Sequence, residues 1–208
     1  MRYTKQEQAF NGGNGEMKPA LVIVDMIKDN VGTDKHHRVA REAREIIPPL
    51  KSFIDYARGE NIPVIYANDN FLKGDFIFQG SLGEHALRGT EGARVVEEIA
   101  PRRGDLVIEK LRFSAFYRTD LDQVLRRLEV DTVLVVGIST IWCVLLTAAD
   151  AIANDFYTVI LEDLTACHDK EIKKQVLDIY RKSALFPLLK IIPSELFINE
   201  YHECPVVM

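Results

Sequence analysis

Three polar residues, Asp25, Lys110 and Cys143, follow apolar runs in this chain. Asp25 closes Ala20-Leu-Val-Ile-Val24, and Lys110 closes Leu106-Val-Ile-Glu109. Cys143 comes after Leu134-Val-Val136, across a turn opened by Gly137. An acid, a cation and a thiol are the parts of covalent catalysis. The thiol attacks, the acid moves its proton, and the cation balances charge. Cys143 is expected in the first turn of a helix, among backbone N–H groups without intrahelical partners and at the positive end of the dipole. Both effects favour thiolate, the nucleophilic form. Any single strand end can carry a polar residue simply to meet water; three complementary types together carry more weight.

For these residues to meet, their strands must run parallel. Short, mostly β-branched apolar runs predict strands over Ala20–Val24, Pro63–Ala67, Leu106–Glu109, Thr132–Val136, Tyr157–Leu161 and Leu189–Ile192. Amphipathic stretches predict helices over Arg38–Arg58, Glu91–Ile99, Leu121–Leu128, Trp142–Asn154 and Asp169–Leu185. Pro48-Pro49 is expected to kink or divide the first of these. The β-α alternation implies one parallel sheet with helices on both faces. Ligands bind such sheets beyond the carboxyl ends of the strands, where Asp25, Asp69, Lys110 and the Gly137–Cys143 turn all fall.

The chain has 208 residues, 47% hydrophobic and 27% charged, the profile of a single globular domain. A formal net charge of −5 gives no basic footprint, so no nucleic-acid partner is expected. No apolar run is long enough for a membrane span. Three cysteines in no regular spacing argue for a reducing compartment, and the cytoplasm is expected. Residues 1–17 read as a flexible extension, and residues 18–208 as the domain.

Four segments in order resemble the isochorismatase-like cysteine hydrolases, a family that includes nicotinamidases, N-carbamoylsarcosine amidases and ureidoacrylate amidases. They are Leu21-Val-Ile-Val-Asp-Met-Ile-Lys-Asp29, Glu84-His-Ala-Leu-Arg-Gly-Thr-Glu-Gly-Ala93, Glu109-Lys-Leu-Arg-Phe-Ser-Ala-Phe116 and Gly137-Ile-Ser-Thr-Ile-Trp-Cys-Val144. The resemblance implies a three-layer αβα sandwich with a mainly parallel six-stranded, Rossmann-like sheet. It implies Cys143 as nucleophile, Asp25 as general base and then acid, and Lys110 as electrostatic partner. It also implies a cis Ile138–Ser139 peptide, with the Ser139 and Cys143 amides forming an oxyanion hole. Phe71, Phe113, Phe116 and Trp142 are expected to shape the pocket.

Departures from the family's pattern sharpen the expectation. Asn30 stands where the family's opening motif ends in Phe, so the pocket wall differs there. Nicotinamidases hold a divalent metal through Asp-x-His and a later His. Asp69 and His85 match two of those ligands, but Phe71 replaces the middle one. Catalytic zinc sites use three protein ligands, so no metal or other cofactor is expected. Adjacent residues seldom reach nucleophile–base geometry, so Cys167 is read as a packed residue beside His168. Cys204, His36, His37 and His202 are read as bland surface or packing residues.

The sequence thus reads as a hydrolase that cleaves a C–N bond of a small amide or ureido compound through an acyl-thioester. The alternatives are a metal-dependent nicotinamidase and a non-catalytic binding or assembly module of the same fold. A homo-oligomer is expected, with the apolar Cys204-Pro-Val-Val-Met208 tail near an interface.

Overall fold

The computed structural model describes residues 17–32 and 39–203. Six strands form one sheet in the order β3-β2-β1-β4-β5-β6, and every pairing is parallel. They are β1 (Pro19–Val24), β2 (Val64–Asp69), β3 (Leu106–Lys110), β4 (Thr132–Ile138), β5 (Tyr157–Ala166) and β6 (Leu189–Ile192). β1, β2 and β4 are buried throughout, which is why their sequences are continuous apolar runs rather than alternating ones. Successive residues still feed opposite sides. Leu21 and Ile23 pack with α2 (Ala40–Gly59) and with Phe197 of α6 (Ser194–Glu203). Ala20, Val22 and Val24 pack with α3 (Leu121–Arg127), α4 (Leu145–Ala153) and Leu177 of α5 (Lys170–Arg181). The three layers expected from the sequence follow directly from this alternation.

Several elements differ from the sequence reading. α2 does not divide at Pro48-Pro49. Both prolines are exposed, so the carbonyls of Arg44 and Glu45, which lose their N–H donors, lie on the hydrated side while Ile46, Ile47 and Leu50 hold the helix to the core. The expected helix over Glu91–Ile99 is instead two 3₁₀ turns, Glu91–Ala93 and Glu97–Ile99. Met17, assigned to the extension, is buried in the core beside α2. A one-turn helix α1 (Lys28–Val31) and the whole of α6 were not foreseen. Cys204, His36, His37 and the tail lie outside the described residues. Among the described residues, no helix is long and apolar enough to cross a membrane.

The strand order changes direction between β1 and β4, which lie side by side in the centre of the sheet. Connections leave this point toward opposite edges, opening a crevice at the carboxyl ends of the two strands. Asp25 follows β1 and Cys143 follows β4, so the two flank it.

Candidate active site

Gly137 sets how closely the two strands approach. It pairs with Val24, adopts φ +100, and a Cβ there would sit 2.2 Å from the Val24 carbonyl oxygen. Only glycine satisfies both the left-handed backbone and that contact. Beyond it the Ile138–Ser139 peptide is cis. The chain then winds through a π turn, Thr140–Val144, before α4 begins. The Ser139 carbonyl accepts from the N–H groups of Trp142 (3.0 Å) and Val144 (3.2 Å). Cys143 therefore sits in a widened turn ahead of the α-helix, not in the helix's own first turn.

Asp25 adopts φ +55, an uncommon backbone for a non-glycine residue, and its environment fixes it there. Its Oδ1 accepts the Asp69 N–H at 2.7 Å, its Oδ2 accepts from Lys110 Nζ at 2.8 Å, and its carbonyl accepts from Asn30 Nδ2 at 3.2 Å. Lys110 pairs with Asp69 across β2 and β3, and its Nζ bonds Asp69 Oδ1 at 2.5 Å as well. The ammonium thus bridges two carboxylates, with all three side chains buried. The Cys143 sulfur lies within 4.8 Å of ligand oxygens of both Asp25 and Asp69. The acid, cation and thiol from three strand ends meet at one point, and Asp69 joins them as a fourth member.

Electrostatics here run against the expected resting thiolate. Burial pushes the Cys143 thiol well above its usual range; Lys110 pulls it down, but Asp25 and Asp69 push it further up. These directions favour the thiol over the thiolate at rest. Burial also works to lower Lys110, yet the two carboxylates outweigh it and hold the ammonium charged. One cation cannot offset two buried carboxylates fully. Burial, then the Asp25 charge, push Asp69 up from 3.8 to about 7.

That shift has a consequence for stability. Between about pH 4 and pH 7, folded Asp69 keeps a proton that the unfolded chain has released. Its contribution to stability therefore falls as pH rises through that window. Asp69→Asn has no such proton to lose. Urea titrations should find the variant's stability relative to wild type greater at pH 8 than at pH 4, by on the order of 2–4 kcal/mol.

A cleft of about 300 Å³ opens over this cluster. Phe71, Phe113 and Trp142 line it, with Phe113 and Trp142 stacked at 5.4 Å between ring centroids. Phe116, expected at the pocket, instead packs against Phe156, 6.1 Å between centroids, in the cluster that holds α3 and α4 to the sheet. Asn30 is at the cleft wall. His85 also lines it, with Nδ1 2.9 Å from the Gly83 carbonyl and its ring against Phe71 and Phe78.

Two groups of supporting residues escaped the sequence reading. Asp29 accepts the Ala86 N–H at 2.8 Å, and Lys28 bonds Glu91 and Glu97, so the opening motif ties down the loop that carries His85. Gly92 makes room for the Asp29 carboxylate, which would lie 2.2 Å from a Cβ at that position. His168, read as incidental, lines the cleft. The sequence hid it because β5 runs on past the expected end at Leu161, through Glu162-Asp163, to Ala166.

The isochorismatase domain profile matches residues 19–187, and the chain belongs to that family. It is a hydrolase of that family. The isochorismatase family protein YaaI of Bacillus subtilis is 31% identical over 154 residues, covering 73% of this chain and 82% of YaaI. The ureidoacrylate amidohydrolase RutB of Agrobacterium fabrum is 31% identical over 144 residues, covering 59% of this chain and 63% of RutB. The crystal structure of N-carbamoylsarcosine amidase from Thermoplasma acidophilum superposes with a TM-score of 0.74 at 33% identity, covering 86% of this chain and 98% of that one.

Proposed function

We propose that this hydrolase cleaves a C–N bond of a small amide or ureido compound, with Cys143 as nucleophile. The observation that carries the reading is the buried Asp25–Lys110–Cys143 cluster beneath a cleft of small-molecule size. As a carbonyl carbon enters, the Cys143 sulfur bonds to it and the thiol proton passes to Asp25. The Ser139 and Cys143 amides hold the oxyanion. Collapse breaks the C–N bond, and Asp25 returns the proton to the leaving nitrogen. Water activated by Asp25 then hydrolyses the thioester. A thiol protonated at rest suits this sequence, because the proton leaves only when attack begins. Lys110 keeps charge balanced as the proton moves between sulfur and carboxylate.

The residues present do not fit a resident divalent metal. Asp25, Asp69 and Cys143 form a donor set, but the Lys110 ammonium already occupies the position between the two carboxylates. Phe71 adds no donor beside Asp69, and His85 does not join Asp25, Asp69 and Cys143 in the donor set among the described residues. The mechanism therefore runs without one. A panel of small carboxamides and N-carbamoyl acids screened for ammonia release tests the reading. Release from at least one compound, unchanged by chelator, is expected. Release that chelator abolishes would favour a metal-dependent nicotinamidase. No release from any, with Cys143 inert to alkylation, would favour a non-catalytic module.

The reading extends to assembly as a homo-oligomer. Ile179 of α5 is exposed, as is Leu188 in the loop before β6, and such residues are commonly covered by a second copy. Light scattering at micromolar concentration should give more than the monomer mass; a monomer would overturn this.

A further inference from the structure

His168 stands two residues beyond β5, whose last residues pair with Gly137 and Ile138 at the start of the nucleophile turn. That register sets His168 beside Ser139 and Cys143 on the cleft wall. Its position is pinned from both sides. Cys167 before it is fully buried, and its sulfur lies 3.5 Å from His168 Nδ1. Asp169 after it caps α5, accepting from the Glu171 and Ile172 N–H groups at 2.8 and 3.1 Å. The ring is thus anchored at Nδ1 while the residue itself is exposed at the cleft.

Four other polar side chains of the cleft already have partners. Asp25 and Asp69 hold Lys110, Asn30 donates to the Asp25 carbonyl, and His85 Nδ1 faces the Gly83 carbonyl. We propose that His168 is a specificity-determining residue, binding through Nε2 an oxygen acceptor that the substrate carries beyond its scissile carbonyl. This rests on the amidohydrolase reading given above. With the Cys167 thiol as the donor to Nδ1, the ring proton sits on Nε2, the edge away from Cys167, and makes it a donor. A carboxylate is the strongest acceptor for it, through a charge-assisted hydrogen bond. The stacked Phe113–Trp142 pair covers the apolar part of the same molecule. The substrate class is then a small amide or ureido compound with a terminal carboxylate.

Succinamate and butyramide test this, since they share chain length and amide and differ in carboxylate against methyl. Their dissociation constants are measured on the Cys143→Ala background by ligand-observed NMR, without turnover. Succinamate should bind at least about tenfold tighter than butyramide. Adding His168→Ala should bring that ratio below about threefold by weakening succinamate alone. His168→Gln, which restores an N–H near the Nε2 position, should recover part of it, and Cys167→Ala should fall between. No preference for succinamate, a ratio untouched by His168→Ala, or equal weakening of both ligands would overturn the proposal. Ammonia release is read separately on the wild-type protein. Selective binding without release from any amide would overturn the amidohydrolase reading and leave the His168 contact standing.

Discussion

Cys143→Ala is expected to lower ammonia release from a proven amide substrate by about 10⁴-fold or more, the scale seen when a covalent nucleophile is removed. The fold should survive. The side chain is buried, and losing one sulfur costs on the order of 1 kcal/mol. Circular dichroism should be unchanged and the melting temperature lowered by a few degrees. Cys167→Ala should keep kcat within about twofold, because that sulfur faces Nδ1 of His168 and not the reacting carbon. Near-wild-type turnover in Cys143→Ala would end the covalent reading.

Lys110→Met should have the largest effect on stability. The ammonium is fully buried between Asp25 and Asp69, and removing it leaves two carboxylates uncompensated. Breaking a buried pair in this way costs about 3–5 kcal/mol. The wild-type pKa of Lys110 is raised, so its stabilising contribution is fully present at and below neutral pH and fades only in strong alkali. The loss in the variant should itself depend on pH. It should be larger at pH 8, where Asp69 is ionised, than at pH 5, where Asp69 holds its proton. Urea denaturation at the two values checks this, and an equal loss at both would contradict the charge balance described.

The meeting of Asp25, Lys110 and Cys143 was legible because Asp25 and Lys110 close apolar strands and Cys143 follows one across a turn, and parallel strands align their carboxyl ends whatever their separation in sequence. Six strands were legible as short apolar runs, continuous where both faces are buried, as in β1, β2 and β4, and apolar even in the partly exposed edge strand β3. What a single sequence hides is three-dimensional charge balance. Asp69 sits opposite Lys110 only through the β2–β3 register, and the upward push on the Cys143 thiol comes first from burial that no local motif reveals. Dipole reasoning alone pointed the other way. Glu91–Ile99 was read as helical because its apolar residues, Val95, Val96 and Ile99, do fall at helical spacing, yet they anchor two 3₁₀ turns to the core. Helix α6 was missed although Pro193-Ser194-Glu195 is a helix-start pattern. Phe197, packed edge-on against Phe53 at 6.0 Å, shows how it docks.

The central claim is that Cys143 is the attacking atom. Iodoacetamide, itself a small carboxamide, is added in limited amounts, and two quantities are followed together: ammonia release from the best amide of the panel, and the fraction of each cysteine alkylated, read by peptide mass spectrometry. Activity should fall in direct proportion to alkylation of Cys143, which lines the cleft, reaching zero when that residue is fully labelled, and should not track label on Cys167 or Cys204. Amide or substrate analogues bound in the cleft should slow both processes equally. Full ammonia release from protein whose Cys143 is completely alkylated would contradict the account.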